Sequence, residues 1–305
     1  MTPLVSVVMP VYNGETYVAS AVDSILRQTL SDLELIVIDD GSTDSTSSML
    51  RTISRRDKRV RIVTNARNYG IPISLNTGIE AARGRFLARQ DADDVSHPER
   101  LARQVESLDG SKLAALGTAV RYFRSEIKSA TWRVTGYKEE IKAVSVKYGN
   151  VLTHGSLMFE TRLLREYRYS EGFAGAEDFD LLTRMEEAGL RLGMLCVPLY
   201  AYRIPVVNRR GFEYYLASLR VQRRFAAYRF QGVTCRRPCE AVFRLADSCY
   251  RMSYTVESRP VRILLKVAAC GLYPPTLVPY IKRAVDVSIR RWREQETRDA
   301  ATTAR

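Results

Sequence analysis

Residues 84 to 101 read Gly-Arg-Phe-Leu-Ala-Arg-Gln-Asp-Ala-Asp-Asp-Val-Ser-His-Pro-Glu-Arg-Leu. A short apolar run, Phe86, Leu87 and Ala88, leads into an acidic cluster of Asp91, Asp93 and Asp94, and Pro98 then opens a helix. Carboxylates crowded at the C-terminal end of a strand repel one another unless a cation sits among them. Asp oxygens are the ligands that Mg²⁺ and Mn²⁺ prefer, often shared with substrate phosphates. The same residues also read as an acidic loop that caps the Pro98 helix and favours its positive end. The rest of the N-terminal half decides between these readings.

Upstream, Val5 to Met9 is a continuous apolar run of the kind a buried parallel strand needs, ending in the turn signal Pro10-Val11-Tyr12-Asn13-Gly14. From Glu15 to Thr29 the apolar positions Val18, Val22, Ile25 and Leu26 have helical spacing. Leu33 to Ile38 reads as a second buried strand, closed by Asp39-Asp40-Gly41-Ser42-Thr43-Asp44, where Gly41 permits a tight turn and Thr43 or Asp44 can cap a helix. Val60 to Val63 is a third strand, Gly70 to Ala82 a helix with Gly84 just past its end, and Phe86 to Ala88 the fourth strand. This alternation predicts an α/β fold with a mostly parallel, Rossmann-like sheet flanked by helices. Ligands of such sheets bind beyond the carboxyl ends of the strands. Pro10 with Tyr12, Asp39 with Asp40, and Asp91 with Asp93 are therefore expected to meet along one edge. Neither G-x-G-x-x-G nor G-x-x-x-x-G-K-[ST] occurs, so a dinucleotide fingerprint and a P-loop are unsupported. A divalent cation on the Asp cluster is the remaining means of holding phosphates.

The segments Val8-Met9-Pro10-Val11-Tyr12-Asn13, Val37-Ile38-Asp39-Asp40-Gly41-Ser42-Thr43-Asp44, Asn68-Tyr69-Gly70 and Asp91-Ala92-Asp93-Asp94, in that order, resemble family 2 glycosyltransferases. These are inverting enzymes of the GT-A fold, and the likeness runs over roughly residues 4 to 204. The resemblance implies a nucleotide site in which Asp39 accepts the imide N–H of uracil, Tyr12 packs near the base and Pro10 shapes the wall. Arg67 then lies near the base or the phosphates, unless it is a solvated surface charge. Asp40 reads better as a turn residue bonded to its own backbone than as a ligand contact. Asp93 corresponds to the direct metal ligand, and Asp91 to a contact with the ribose or the metal's water shell. Asp94 is left to cap the next helix. A Mn²⁺ or Mg²⁺ ion bridging the phosphates is the implied cofactor.

A second constellation lies between 150 and 190. His154-Gly155-Ser156-Leu157-Met158-Phe159 reads as a strand, and Glu177-Asp178-Phe179-Asp180-Leu181 opens a helix with apolar residues at Phe179, Leu182 and Met185. The family places its catalytic base at the Asp of such a Glu-Asp pair, here Asp178. In one displacement that carboxylate takes the acceptor hydroxyl's proton as the oxygen attacks the sugar. Glu177, Asp178 and Asp180 also read as favourable charge on a helix N-terminus. His154 is either a contact to the diphosphate or metal, or a satisfied structural residue, and His97 reads as a helix-boundary residue. Many relatives carry a His shortly after the Tyr-Arg pair found here at Tyr202-Arg203, and this chain has none.

Charge is unevenly placed along the 305 residues. Residues 1–205 hold 27 basic and 26 acidic side chains, whereas 206–305 hold 20 and 8, so the net +13 falls almost wholly in the last hundred. The expected division is a catalytic domain over 1–205 and a basic, mainly helical extension over 206–305. In that extension Phe212, Tyr215, Leu216 and Leu219, and again Ile281, Val285, Ile289 and Trp292, form apolar stripes flanked by arginine and lysine. Such stripes suit an anionic membrane surface, or they pack on the catalytic domain. The uncharged run Val267 to Ile281 carries three prolines and is too short to span a bilayer. Cysteines 196, 235, 239, 249 and 270 lack zinc spacing and read as reduced thiols. Met1-Thr2-Pro3 leads straight into the first strand, so no signal peptide is expected, and with the thiols this suggests a cytoplasmic protein, peripheral on the membrane through the basic stripes.

The expected activity, resting on the resemblance, moves a sugar from a nucleoside-diphosphate sugar to a hydroxyl. UDP is the favoured carrier, and a glycan or lipid-linked glycan of the cell envelope the expected acceptor. A nucleotidyltransferase that makes such sugars would need a Gly-rich phosphate loop near the N-terminus, which is missing. Nucleic-acid binding has only the basic tail in its favour, with no stacking-aromatic or recognition-helix motif, and none is expected.

Overall fold

The computed structural model describes residues 2–123, 132, 134, 140–146, 150–204 and 221. The expected extension over 206–305 lies outside them, apart from Val221, as do the stripes and cysteines placed there.

The described residues form one nine-stranded sheet with helices packed on it. Strand β1 (Val5–Val11) is central, and its side chains are buried except at Pro10. Burial on both faces explains why the run is apolar at every position from Val5 to Met9 but Ser6, because a parallel strand covered on each side has no solvent-facing position. Helix α1 (Val18–Leu26), β2 (Leu33–Asp39), α2 (Thr46–Arg56), β3 (Val60–Thr64), α3 (Ile71–Ala81) and β4 (Phe86–Arg89) complete the N-terminal half. The order β3-β2-β1-β4 is parallel throughout, with Val5 opposite both Leu33 and Phe86.

Beyond β4 the sheet is mixed. Strand β5 (Val95–Ser96), α4 (Arg100–Leu108), β6 (Leu113–Phe123), β7 (Ile141–Val144), β8 (Met158–Glu160), α5 (Thr161–Tyr167), α6 (Glu177–Glu187) and β9 (Arg191–Arg203) follow. Strand β8 pairs antiparallel with both β4 and β6, and β9 runs parallel to β6. The expected parallel character thus holds without interruption over β3-β2-β1-β4 and returns only in the β6–β9 pair.

Three local expectations change. Helix α1 begins at Val18 rather than Glu15, because Gly14 to Tyr17 make a turn first. The segment from His154 is not a strand at its start: His154–Ser156 is a 3₁₀ turn, and β8 begins only at Met158. Ser156 closes that turn by donating from Oγ to the Thr153 carbonyl. Gly84 does not cap α3. Its place is set by packing, since a Cβ there would lie 2.5 Å from the Ser6 nitrogen of β1. Its N–H donates to Ser6 Oγ, which in turn donates to buried Glu34. That polar knot satisfies a hydroxyl in the otherwise apolar β1.

Candidate active site

The carboxyl ends of β1, β2 and β4 open on one cleft of about 480 Å³. Pro10 and Tyr12, Asp40, and Asp91 with Asp93 line it together, so the three strand ends meet as the sequence predicts. Turn chemistry ties them. Asn13, at φ +50, accepts the Thr43 N–H on its side-chain oxygen, and its own N–H donates to Ser42 Oγ. Asp44 accepts from the N–H groups of Thr46 and Glu15, and Glu15 accepts from Ser45, the N-cap of α2. Asp44 therefore serves the helix entry from just outside the cap.

The two acids ending β2 divide their work differently from expectation. Asp39 is fully buried, and its carboxylate accepts from Ser42 N–H at 3.0 Å and from the Ser47 hydroxyl. Asp40, and not Asp39, forms cleft wall. It does not bond its own turn. Its carboxylate accepts from Asn65 Nδ2 and from the N–H groups of Tyr69 and Gly70, pinning the 65–70 loop across the cleft mouth. Gly41, at φ +72, lets that loop approach: a Cβ there would lie 2.6 Å from the Arg67 backbone. The Arg67 side chain is exposed, its guanidinium 5.1 Å from the Tyr69 ring centroid, and it is not part of the cleft lining.

At the end of β4 the three acids are also distinct. Asp93 is exposed in the cleft, Asp91 is partly buried, and Asp94 is 1% exposed. Asp94 does not cap α4. It accepts from Tyr200 Oη at 2.8 Å and from the Arg203 N–H at 2.7 Å. Burial, with Asp91 and Asp93 beside it, pushes its carboxyl well above the usual range. Asp91 accepts at 2.8 Å from Arg89, whose guanidinium is fully buried at the cleft floor. A second buried arginine, Arg100, donates to the carbonyls of Gly155 and Arg89, and burial pushes it down to about 10. Among the described residues no group of three or more His, Cys, Asp or Glu side chains is arranged to hold a metal.

The second constellation joins the first through Arg89. Its Nε lies 3.4 Å from His154 Nε2, and the same nitrogen lies 2.9 Å from Tyr169 Oη. His154 Nδ1 is 3.8 Å from Glu177. Burial, and then the Arg89 charge, hold His154 well below its usual value, so the ring is neutral. It does not line the cleft. Glu177 and Asp178 open α6 as expected. Asp178 accepts from Asn150 Nδ2 at 2.6 Å and from the Phe179 N–H at 2.8 Å. Burial, and next the Glu177 carboxylate, push Asp178 up to about 7. It too lies outside the cleft lining, reached from Asp91 through Arg89, His154 and Glu177.

Sequence reasoning passed over Arg89, Arg100, Asn150, Tyr169 and Tyr200. The signal for Arg89 was a charge sitting directly after the apolar run of β4, where an unpaired guanidinium would be costly. His97 is a boundary residue as expected, accepting the Glu99 N–H on Nδ1, with its ring edge on Trp132. No helix among the described residues is long and apolar enough to cross a membrane.

The Glycosyl transferase family 2 model matches residues 6–168, from β1 through α5. A glycosyltransferase of Methanocaldococcus jannaschii is 30% identical over 231 residues, covering 74% of this chain and 78% of the relative. One from Haemophilus influenzae is 32% identical over 199 residues and 61% of each chain, so the match leaves more than a third of that relative uncovered. In fold the chain is similar to Staphylococcus aureus TarS 1-349 in complex with UDP-GlcNAc, at TM-score 0.60 and 19% identity over 97% of this chain and 92% of that one. It is also similar to the mannosyltransferase PcManGT of Pyrobaculum calidifontis in complex with GDP-Man and Mn²⁺, at 0.57 and 20% over 96% and 83%. The family model spans the three strand ends, the acidic loop and the His154 turn, and this chain belongs to glycosyltransferase family 2.

Proposed function

We propose that the protein transfers a sugar from a nucleoside diphosphate, UDP in the favoured reading, to a hydroxyl of a glycan or lipid-linked glycan, by one displacement with inversion at C1. The observation that carries the reading is the pairing of two acidic centres linked by buried Arg89. Asp91 and Asp93 face an open cleft, and Asp178 is enclosed with its carboxyl raised to about 7. A base with that value is half ionised at neutral pH and well matched to take a hydroxyl proton in the transition state. Asp178 takes the proton as the acceptor oxygen forms its bond to C1, while the bond from C1 to the diphosphate oxygen breaks. No carboxylate nucleophile enters, because the acceptor oxygen itself attacks C1 on the face opposite the departing diphosphate.

The residues fit a divalent cation that arrives with its diphosphate. One or two carboxylates plus substrate phosphates are the usual Mg²⁺ or Mn²⁺ site, in contrast to an all-protein cage. Asp93, exposed in the cleft, and Asp91, partly committed to Arg89, meet that requirement. Such a cation would neutralise charge on the departing diphosphate. Tyr12 and Pro10 offer the wall for the base. In this reading Asp39 exchanges the Ser47 hydroxyl for the uracil imide, Arg67 swings from Tyr69 toward the nucleotide, and His154 acts from behind Arg89. That TarS was solved with UDP-GlcNAc and PcManGT with GDP-Man and Mn²⁺ supports a nucleotide-sugar donor and a divalent cation here. The charge of 206–305 supports an extension that rests on anionic lipid at the cytoplasmic face, beside an envelope acceptor.

The test is a panel of UDP-, dTDP- and GDP-sugars, each with and without Mn²⁺, read by thermal stabilisation and then by transfer to glycan and lipid-linked acceptors. A cation-dependent shift with UDP-sugars is expected. Stabilisation by none of them sinks the proposal.

A further inference from the structure

Arg203 closes β9. The parallel register of β6 and β9 sets it opposite Phe123. Three elements converge on it. Its N–H donates to the Asp94 carboxylate at 2.7 Å, and its Nε donates to the main-chain carbonyl of Asp93 at 2.8 Å. Its guanidinium carbon stands 3.9 Å from the Tyr17 ring centroid and 4.4 Å from that of Phe123. Tyr17 and Asp93 both line the cleft.

We propose that Arg203 is a positioning residue that sets the Asp93 carboxylate in the cleft. It clamps the acidic loop by two hydrogen bonds to consecutive residues while its guanidinium is wedged between the rings of Tyr17 and Phe123. The inference rests on the reading of Asp93 as the cation's carboxylate. Arginine suits the task for geometric reasons. Its planar fork stacks on an aromatic face and still presents an Nε–H in that plane, which an ammonium cannot do. Asp93 is on a loop, four residues beyond the end of β4, a strand end that is itself held by buried Arg89 and Arg100 contacts. Arg203 extends that restraint to the one acid of the loop that is exposed.

The experiment compares the full chain with its Arg203→Lys and Arg203→Met variants in two measurements. The first is binding of UDP, GDP and dTDP at graded Mn²⁺. For the nucleotide that binds, the Mn²⁺ midpoint should rise about tenfold in both variants, as expected for loss of one charge-assisted hydrogen bond. Lysine should not rescue it. Recovery of the wild-type midpoint by lysine, or no shift with methionine, overturns the proposal. The second measurement needs no nucleotide. Amide exchange at 91–94 should accelerate in Arg203→Met while the melting temperature stays within a few degrees, and unchanged exchange also overturns the proposal. Failure of the wild type to bind any of the nucleotides would count against the proposed function, while the exchange result still judges Arg203.

Discussion

Asn150 donates from Nδ2 to Oδ2 of Asp178 at 2.6 Å, holding a carboxylate that burial and Glu177 together push up to about 7. The amide favours the charged form, and the apolar surroundings and the neighbouring acid favour the neutral one. The balance leaves Asp178 titrating where a base must change state.

Asp178→Asn should lower turnover by about 10²- to 10⁴-fold while the dissociation constant for the nucleotide-sugar stays within about twofold. Single-turnover transfer and equilibrium titration measure the two. Turnover at the wild-type rate would remove the base assignment.

The pH dependence follows from the sign of the shift. The ionised carboxylate is the active form, so kcat/KM should climb with pH and level off above about 7. Asn150→Ala removes a group that lowers this value, so the rising limb should move up by about one pH unit. A limb that stays in place shows that the activity reports some other group.

The same carboxyl makes a prediction about stability. Its folded value lies above the ordinary 3.8, so the native state holds a proton that the unfolded chain has already lost. The contribution of Asp178 is fully present below about pH 4 and lost as pH rises through about 7. At pH 8 Asp178→Asn should therefore be more stable than wild type, by on the order of a few kcal/mol, and at pH 4 the difference should vanish. Urea unfolding at the two pH values measures it.

Asp93→Asn should abolish the Mn²⁺ dependence of nucleotide binding and leave the fold intact, because Asp93 is exposed in the cleft. Calorimetric titration with and without the cation distinguishes this from a general loss of folding, which circular dichroism reports.

Far from the cleft, Glu34 is buried and accepts from Ser6, Arg61 and Arg83. Burial pushes its carboxyl up, but Arg83, Ser6 and Arg61 outweigh that and leave it below its ordinary value. Its stabilisation is present above about pH 4.5 and lost as pH falls. Glu34→Gln should cost about 2 kcal/mol at neutral pH, since both arginines can turn back to water while the Ser6–Gly84 contact is weakened. Acid-side unfolding curves should converge for the two proteins.

Much of the site was legible because its signals are local. An apolar run followed by a turn and a helical period marks a βα unit wherever it occurs. Three such units put Pro10, Tyr12, Asp40, Asp91 and Asp93 on one edge without knowledge of any contact. Glu177 and Asp178 at the start of α6 were read the same way, from charges preceding a periodic apolar face. The 3₁₀ turn at His154 was passed over because His154-Gly155-Ser156 runs directly into the apolar, strand-like Leu157-Met158-Phe159. Its local bonds to the Thr153 carbonyl are joined by one from Arg100, whose guanidinium donates to the Gly155 carbonyl from 55 residues away. A Cβ at Gly155 would lie 2.0 Å from the Tyr200 hydroxyl, so only glycine fits there.

The sequence by itself determined the order of the elements up to β4, the parallel N-terminal sheet and the strand ends at which the acids gather. These follow from periodicity and turn chemistry within a few residues. Tertiary structure decided which acid of each group lines the cleft and which is turned away from it. Asp39 turned inward to Ser42 and Ser47 while Asp40 reached across to the 65–70 loop, and Asp94 was drawn under Tyr200 while Asp93 stayed exposed. Adjacent carboxylates are chemically alike. Their separation comes from desolvation and from partners contributed by distant strands, and neither exists until the chain has folded.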